Sequence, residues 1–205
     1  MMSGEAPRKS PYESGQYWKK RRDFIYYQYL ELMVRCLAPE AKSLIDVGSG
    51  NSPYLEWFDW IERKVSADIV APYSSDSVEG IVGNILDLEF DGKFDICTCL
   101  QVLEHIDEPA AFARKLLTLS DLVLISVPYK WPRVGKSARF HPQDPVDLAK
   151  VEEWFGRRAN YTQVVQEPFL KAKGRRMFAI FDADEARTFG TEVYKNRMRR
   201  SSSFI

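Results

Sequence analysis

Cysteine, histidine, net charge and long apolar runs are what this chain of 205 residues has least of. Cys36, Cys97 and Cys99 are too few for a disulfide framework. Cys97 and Cys99, two apart in a strand-like run, point the same way and cannot bridge as an ordinary staple. They read as small buried hydrophobes suited to a reducing compartment. Charge is balanced, 29 basic against 29 acidic residues, so the general basic field of a nucleic-acid binder is missing. The basic groups at Lys19 to Arg22 and at Arg197, Arg199 and Arg200 read first as solvated charge, with an anionic acceptor or partner as the alternative. No segment approaches the roughly 18 apolar residues of a membrane span, and the polar opening MMSGEAPRKS lacks the form of a signal peptide. The expectation is a soluble, cytoplasmic protein with no nucleic-acid partner and no membrane span. Its oligomeric state stays open, a homodimer included.

Hydrophobic residues make up 45% of the chain, enough for a core of its own, and the length suits one domain. Residues 1–15, rich in Ser, Gly, Pro and charge, read as a mobile lead, and 16–205 as a single domain. A helix is expected over 16–37, with Trp18, Ile25, Tyr29, Leu32 and Cys36 as its apolar stripe and Pro39 just past its end. Strands and helices then alternate. Strands are expected at 43–47, 65–70, 80–85, 94–102 and 121–127. Helices are expected around 54–61, after Pro109, and from Asp144-Pro145 to a stop at Gly156. Residues 161–165 and 177–181 read as a closing hairpin, followed by at most one further helix. The alternation implies an α/β protein with a parallel sheet and helices on both faces. Ligands of such sheets bind beyond the carboxyl ends of the strands, where strand order reverses.

The loops on that edge carry the chemistry. The first strand runs into Asp46-Val47-Gly48-Ser49-Gly50-Asn51-Ser52-Pro53, whose glycines permit a sharp turn and close approach to a ligand. Pro53 stands where a dinucleotide site needs its third glycine, and Asp46 suits an ammonium group while repelling pyrophosphate, so a nicotinamide enzyme is the weaker reading. The second strand delivers Asp68 about 20 residues later, where a carboxylate can accept from both ribose hydroxyls. The plain alternative for Asp68 is a strand-end turn residue.

Ser43 to Gly50, then Asp68, then Gly83-Asn84-Ile85, then Val102-Leu103-Glu104-His105 resembles the ordered motif set of class I S-adenosylmethionine-dependent methyltransferases, over roughly 43–128. That resemblance implies a Rossmann-like methyltransferase fold: a mostly parallel seven-stranded sheet, helices on both faces and an antiparallel last strand. It implies S-adenosyl-L-methionine as cofactor and S-adenosyl-L-homocysteine as product. Asp46, Gly48, Ser49 and Gly50 would hold the methionine moiety, Asp68 the ribose, and Asn84 and Ile85 the adenine, with Gln101 lining the pocket. Residues 16–41 would form a lid. Many relatives carry Asp where Asn84 stands, and an amide can both donate to and accept from adenine.

Ser126-Val127-Pro128-Tyr129-Lys130-Trp131-Pro132 with Phe140-His141-Pro142-Gln143-Asp144-Pro145-Val146-Asp147 is similar to a pattern of bacterial sugar and glycan O-methyltransferases. It implies methylation of a hydroxyl on a saccharide or similar polar metabolite, with 128–147 as the acceptor-site loop and Tyr129 and Trp131 binding the acceptor. Packing under the loop is the plain alternative for both aromatics. A hydroxyl acceptor must lose a proton, and histidine is the natural base near neutral pH. His105 and His141, the only two, both fall on the active edge. His141 is taken first as the base and His105 as shaping the pocket. Asp144 reads plainly as a helix cap. Glu104, His141, Asp144 and Asp147 are the alternative ligands for a divalent metal, which the reading allows without requiring. Two further functions compete: methylation of another small natural product at nitrogen or oxygen, and a non-catalytic cofactor-binding partner subunit. The intact cofactor motifs and the two histidines count against the second.

Overall fold

A computed structural model of the chain describes residues 16–134 and 141–200. The expected lead 1–15, residues 135–140 of the expected acceptor loop and the tail 201–205 lie outside them. The strands are β1 (Ser43–Val47), β2 (Arg63–Asp68), β3 (Glu79–Val82), β4 (Ile96–Leu100), β5 (Leu122–Pro128), β6 (Tyr161–Gln166) and β7 (Arg175–Asp182). They form one sheet in the order β3-β2-β1-β4-β5-β7-β6. Only β7 runs antiparallel to its neighbours. Strand order reverses between β1 and β4, which places the crevice expected for ligands there.

Alternation along the strands divides the core in two. Ile45, Cys97, Cys99, Val123 and Ile125 face Phe112 and Leu116 of α3 (Pro109–Leu119) and Trp154 and Phe155 of α4 (Leu148–Phe155). The opposite parity, Leu44, Ile96, Leu124 and Phe178, packs on Tyr26, Leu30 and Val34 of α2 (Ile25–Leu37) and on Tyr54 and Phe58. Each fully buried large side chain contributes roughly 1.5–3 kcal/mol, so the two layers fix the strand register. Asp46 and Thr98 have this second parity and sit opposite each other on β1 and β4, which puts two polar side chains beneath α2.

The expected amino-terminal helix is two pieces, α1 (Gln16–Lys19) and α2, with Phe24 extended between them. A carboxylate far away in sequence sets the new start: Glu167 accepts from the backbone amides of Ile25 and Tyr26, both at 3.0 Å. The break shifts the helical phase. Ile25 is exposed, and Tyr26, Tyr27, Leu30, Val34 and Leu37 form the buried stripe. The helix expected around 54–61 is a short 3-10 turn, Pro53–Trp57, because the rings of Tyr54 and Phe58 pack beneath α2 and tertiary packing overrides propensity. Asp147 caps α4 by accepting from the Lys150 amide at 3.1 Å, so Asp144 is not the cap. Gly156, at φ +69°, ends that helix as expected. A short α5 (Thr191–Lys195) follows β7. Among the described residues, no helix is long and apolar enough to cross a membrane.

Candidate active site

The loops at the carboxyl edge enclose a cavity of 890 Å³. At one end the turn after β1 is tied to β2: the Gly48 amide donates to the Ala67 carbonyl at 2.8 Å, and the Gly50 amide to Asp68 at 2.9 Å. Gly48 and Gly50 adopt φ +75° and +53°. A Cβ on Gly48 would lie 2.3 Å from the Val102 side chain, so the turn needs glycine for a packing reason as well. Ser49 shares a 2.6 Å hydrogen bond with Ser66.

Asp46 is buried on the cavity wall, accepting from the Thr98 hydroxyl at 2.7 Å. Among the described residues, its other oxygen and the Tyr54 hydroxyl have no hydrogen-bond partner. Burial pushes the Asp46 carboxyl up to about 6, against the pull of the neighbouring Tyr54 and Thr98 hydroxyls. An orphaned buried carboxylate oxygen facing a cavity fits a cationic ligand group. Asp68 is half-buried and accepts from the amides of Gly50, Val70 and Ala71, so it organises both turns that face the ligand. Asn84 and Ile85 line the same end; Asn84 is exposed and Ile85 buried. Two cavity residues that no motif announced are Ile69 and Val70, which are 69% and 55% exposed. Apolar side chains open on a cavity rim suit the face of a flat ring.

The other end holds both histidines. Their rings meet edge to face at 4.5 Å. His141 stacks on Trp131 at 5.7 Å, and its Nδ1 lies 3.1 Å from the Asp144 carboxylate. Burial, followed by the charge of Lys173, lowers the His141 pKa below its usual value. Glu104 is buried with one oxygen unpartnered among the described residues, and burial pushes its carboxyl up to about 8, with its own backbone amide and Arg176 opposing the rise and Asp144 adding to it. His105 Nε2 lies 3.8 Å from Glu104. Gln101, at φ +59°, lines the cavity and donates to Ser126, which also bonds the Tyr26 hydroxyl.

Not every expected residue gathers here. Tyr129 is absent from the lining and packs against the core. Trp131 does line the cavity, but its ring is engaged by His141 and, at 5.6 Å, by Arg176. Among the described residues, no group of three or more His, Cys, Asp or Glu side chains could hold a metal ion, and this corrects the alternative grouping of Glu104, His141 and Asp144 with Asp147. Asp147 is the α4 cap, and Asp144 turns one carboxylate oxygen to His141, its other oxygen being buried without a hydrogen-bond partner among the described residues. Sequence reading missed Arg21, Phe24, Tyr26, Tyr27 and Arg176, all of which line the cavity. Arg21 and Phe24 lie in the break between α1 and α2, and Tyr26 and Tyr27 in the first turn of α2.

The sequence profile of the methyltransferase domain matches residues 17–166. The chain belongs to that family. This methyltransferase is similar in fold to a chain of the complex of the Haloferax volcanii Trm112 methyltransferase activator, at TM-score 0.66 and 14% identity over 85% of this chain and 98% of that one. It is also similar to the N-methyltransferase NodS of Bradyrhizobium japonicum with bound S-adenosyl-L-homocysteine, at TM-score 0.60 and 12% identity over 85% and 95%. A third likeness is to the N-terminal domain of EvdMO1 in the presence of S-adenosyl-L-homocysteine and D-fucose, at 0.54 and 13% over 77% and 82%. Comparison with curated protein sequences gives no match.

The protein is an S-adenosylmethionine-dependent methyltransferase, and the residues present fit that cofactor. Asp46 and the Gly48–Gly50 turn would hold its amino-acid end, Asp68 the ribose, and Ile69, Asn84 and Ile85 the adenine. Asp68→Ala is expected to weaken S-adenosyl-L-homocysteine binding by about 2–3 kcal/mol, because a charge-assisted acceptor and the pin on Gly50 go together. Calorimetry would show it; an unchanged affinity removes Asp68 from the site.

Proposed function

We propose that this methyltransferase methylates a hydroxyl of a saccharide or similar polar metabolite, with His141 as the general base. The observation that carries the reading is the pairing of His141, which lines the cavity, with the buried Asp144 carboxylate. A carboxylate accepting from Nδ1–H selects the tautomer whose Nε2 keeps its lone pair, and that nitrogen can take a hydroxyl proton. When bound, the cofactor supplies the electrophilic methyl group. The protein's own part is to hold the acceptor, take its proton and exclude water. Trp131 and His105 fix the His141 ring from two directions. Arg21, Phe24, Tyr26 and Tyr27 line the cavity, which supports reading 16–41 as its lid. The D-fucose present with the EvdMO1 domain supports a sugar acceptor on this fold; the N-methyltransferase likeness supports an amine. A screen of neutral and charged sugars beside primary amines, using a labelled methyl donor, separates them. Transfer to amines alone would end the hydroxyl reading.

The base works only when unprotonated. Because burial and Lys173 lower the His141 pKa from its usual 6.5, the rate should rise with pH through a point below about 6.5 and be level by neutrality. Asp144→Asn should lower kcat at least about tenfold with little change in cofactor affinity, since the amide no longer enforces the tautomer. A pH–rate profile of parent and variant measures both effects. Unaltered turnover in Asp144→Asn would show that Asp144 does not position the base.

A further inference from the structure

One buried cation in the cavity wall is used neither by the cofactor residues nor by the base. Arg176 is the second residue of β7, paired with Pro128 at the end of β5. Because β7 is antiparallel, its amino-terminal residues reach the edge where the parallel strands end. Arg176 is 8% exposed and lines the cavity, yet its guanidinium makes no hydrogen bond among the described residues, and Nη1 is buried without a partner. Its nearest carboxylate, Glu167, lies at the 4.0 Å limit of an ion pair, with both oxygens already accepting from the Ile25 and Tyr26 amides. Phe24, Tyr26 and Trp131 frame the guanidinium at 5.2, 5.2 and 5.6 Å. Aromatic walls hold its plane and keep water away, but they accept none of its five N–H donors.

A buried arginine left in that state is costly unless something else completes it. We propose that Arg176 is the acceptor-recognition residue and that the acceptor carries an oxyanion, a carboxylate or phosphate ester, received by the guanidinium fork. The proposal rests on the saccharide reading above and narrows it to anionic sugars. An arginine fork matches either oxyanion in two parallel hydrogen bonds. The local field agrees. Lys150, Lys173 and Arg133 all act on Asp144 as positive charges, and Glu104, pushed up to about 8 by burial, offsets Arg176 only weakly at pH 7. Position argues against the cofactor's own carboxylate as the guest. β7 is three places from β1 in the sheet, about 14 Å at a spacing of about 4.8 Å per strand, on the side away from Asp68 and Asn84.

The test uses the full chain saturated with S-adenosyl-L-homocysteine, titrated calorimetrically with glucuronate, glucose 6-phosphate, glucose, inorganic phosphate and acetate. The parent should bind the better of the two anionic sugars at least about tenfold more tightly than glucose, and the better one identifies the oxyanion. Arg176→Met should bring the three within about twofold, and Arg176→Lys, which keeps the charge and loses the fork, should fall between. S-adenosyl-L-homocysteine affinity should stay the same in all three proteins. The parent measurement needs no variant, so a poorly folding Arg176→Met leaves the proposal exposed to refutation. Equal binding of charged and neutral sugars by the parent overturns it, as does tenfold weaker S-adenosyl-L-homocysteine binding in Arg176→Met with the sugar preference intact. If no sugar binds, the saccharide reading fails on its own. Saturable binding of phosphate or acetate, lost in Arg176→Met, then still supports the oxyanion site, and failure of both ions overturns it.

Discussion

His141→Ala should lower kcat by at least about a hundredfold with S-adenosylmethionine affinity unchanged. A sugar hydroxyl is far too weak an acid to be ionised near neutrality, so its proton must leave as the methyl arrives, and a positioned base contributes on the order of 10²–10⁴ in rate. His141 is the group best prepared for this. Asp144 orients its ring at 3.1 Å, Trp131 stacks on it, and its lowered pKa keeps it unprotonated at neutral pH. The variant should also lose the rise of rate with pH. His105→Ala should cost less, because His105 touches the base edge to face and acts by placing it. Near-normal turnover in His141→Ala eliminates it as the base. A dead His105→Ala beside an active His141→Ala reverses the two roles. If both variants stay active, the cavity-facing carboxyl of Glu104 becomes the candidate, and Glu104→Gln tests it.

Gly48→Val should abolish cofactor binding and lower stability by roughly 3 kcal/mol or more, the sum of backbone strain and overpacking. Gly48 holds φ +75°, where a β-branched residue is strained. The new Cβ would stand 2.3 Å from one methyl of Val102 and 3.0 Å from the other. The motif predicts damage through the ligand's space; the structure adds a protein side chain that already fills the position. Thermal melting with and without S-adenosyl-L-homocysteine measures both losses. The pair Gly48→Ala with Val102→Ala separates the causes. Removing the Val102 methyls relieves the contact and leaves the φ, so a double variant as stable as the parent would show that backbone conformation costs nothing here.

The cofactor end was legible because it is local. Asp46, Gly48, Ser49, Gly50, Asp68, Asn84 and Ile85 lie within or just after strands, and the sheet brings consecutive strand ends to one edge. The two histidines were legible for the same reason. Asp144 was misread as a cap because an Asp before Pro opening a helix carries that signal; the true cap lies three residues on, and Asp144 turns to His141 instead. Tyr129 and Trp131 share one segment and are both partly buried, and only the folded packing sends Tyr129 against the core and Trp131 to the cavity.

By itself the sequence determined the layered α/β plan, the glycine turn and its carboxylates, and which strand ends would meet, because alternating burial and short connections leave few other arrangements. Tertiary structure decided the rest. Glu167, contributed by the β6–β7 connection, sets where α2 begins and so brings Arg21, Phe24 and Tyr26 to the cavity. The antiparallel direction of β7 delivers Arg176, an amino-terminal strand residue, to the same carboxyl edge of the sheet, where the rule of carboxyl ends does not look for it. Both depend on contacts between groups up to about 150 residues apart in the chain, and a pattern read within one helix or strand carries no trace of such a contact. The physical reason is that a buried charge takes its role from the groups folded around it.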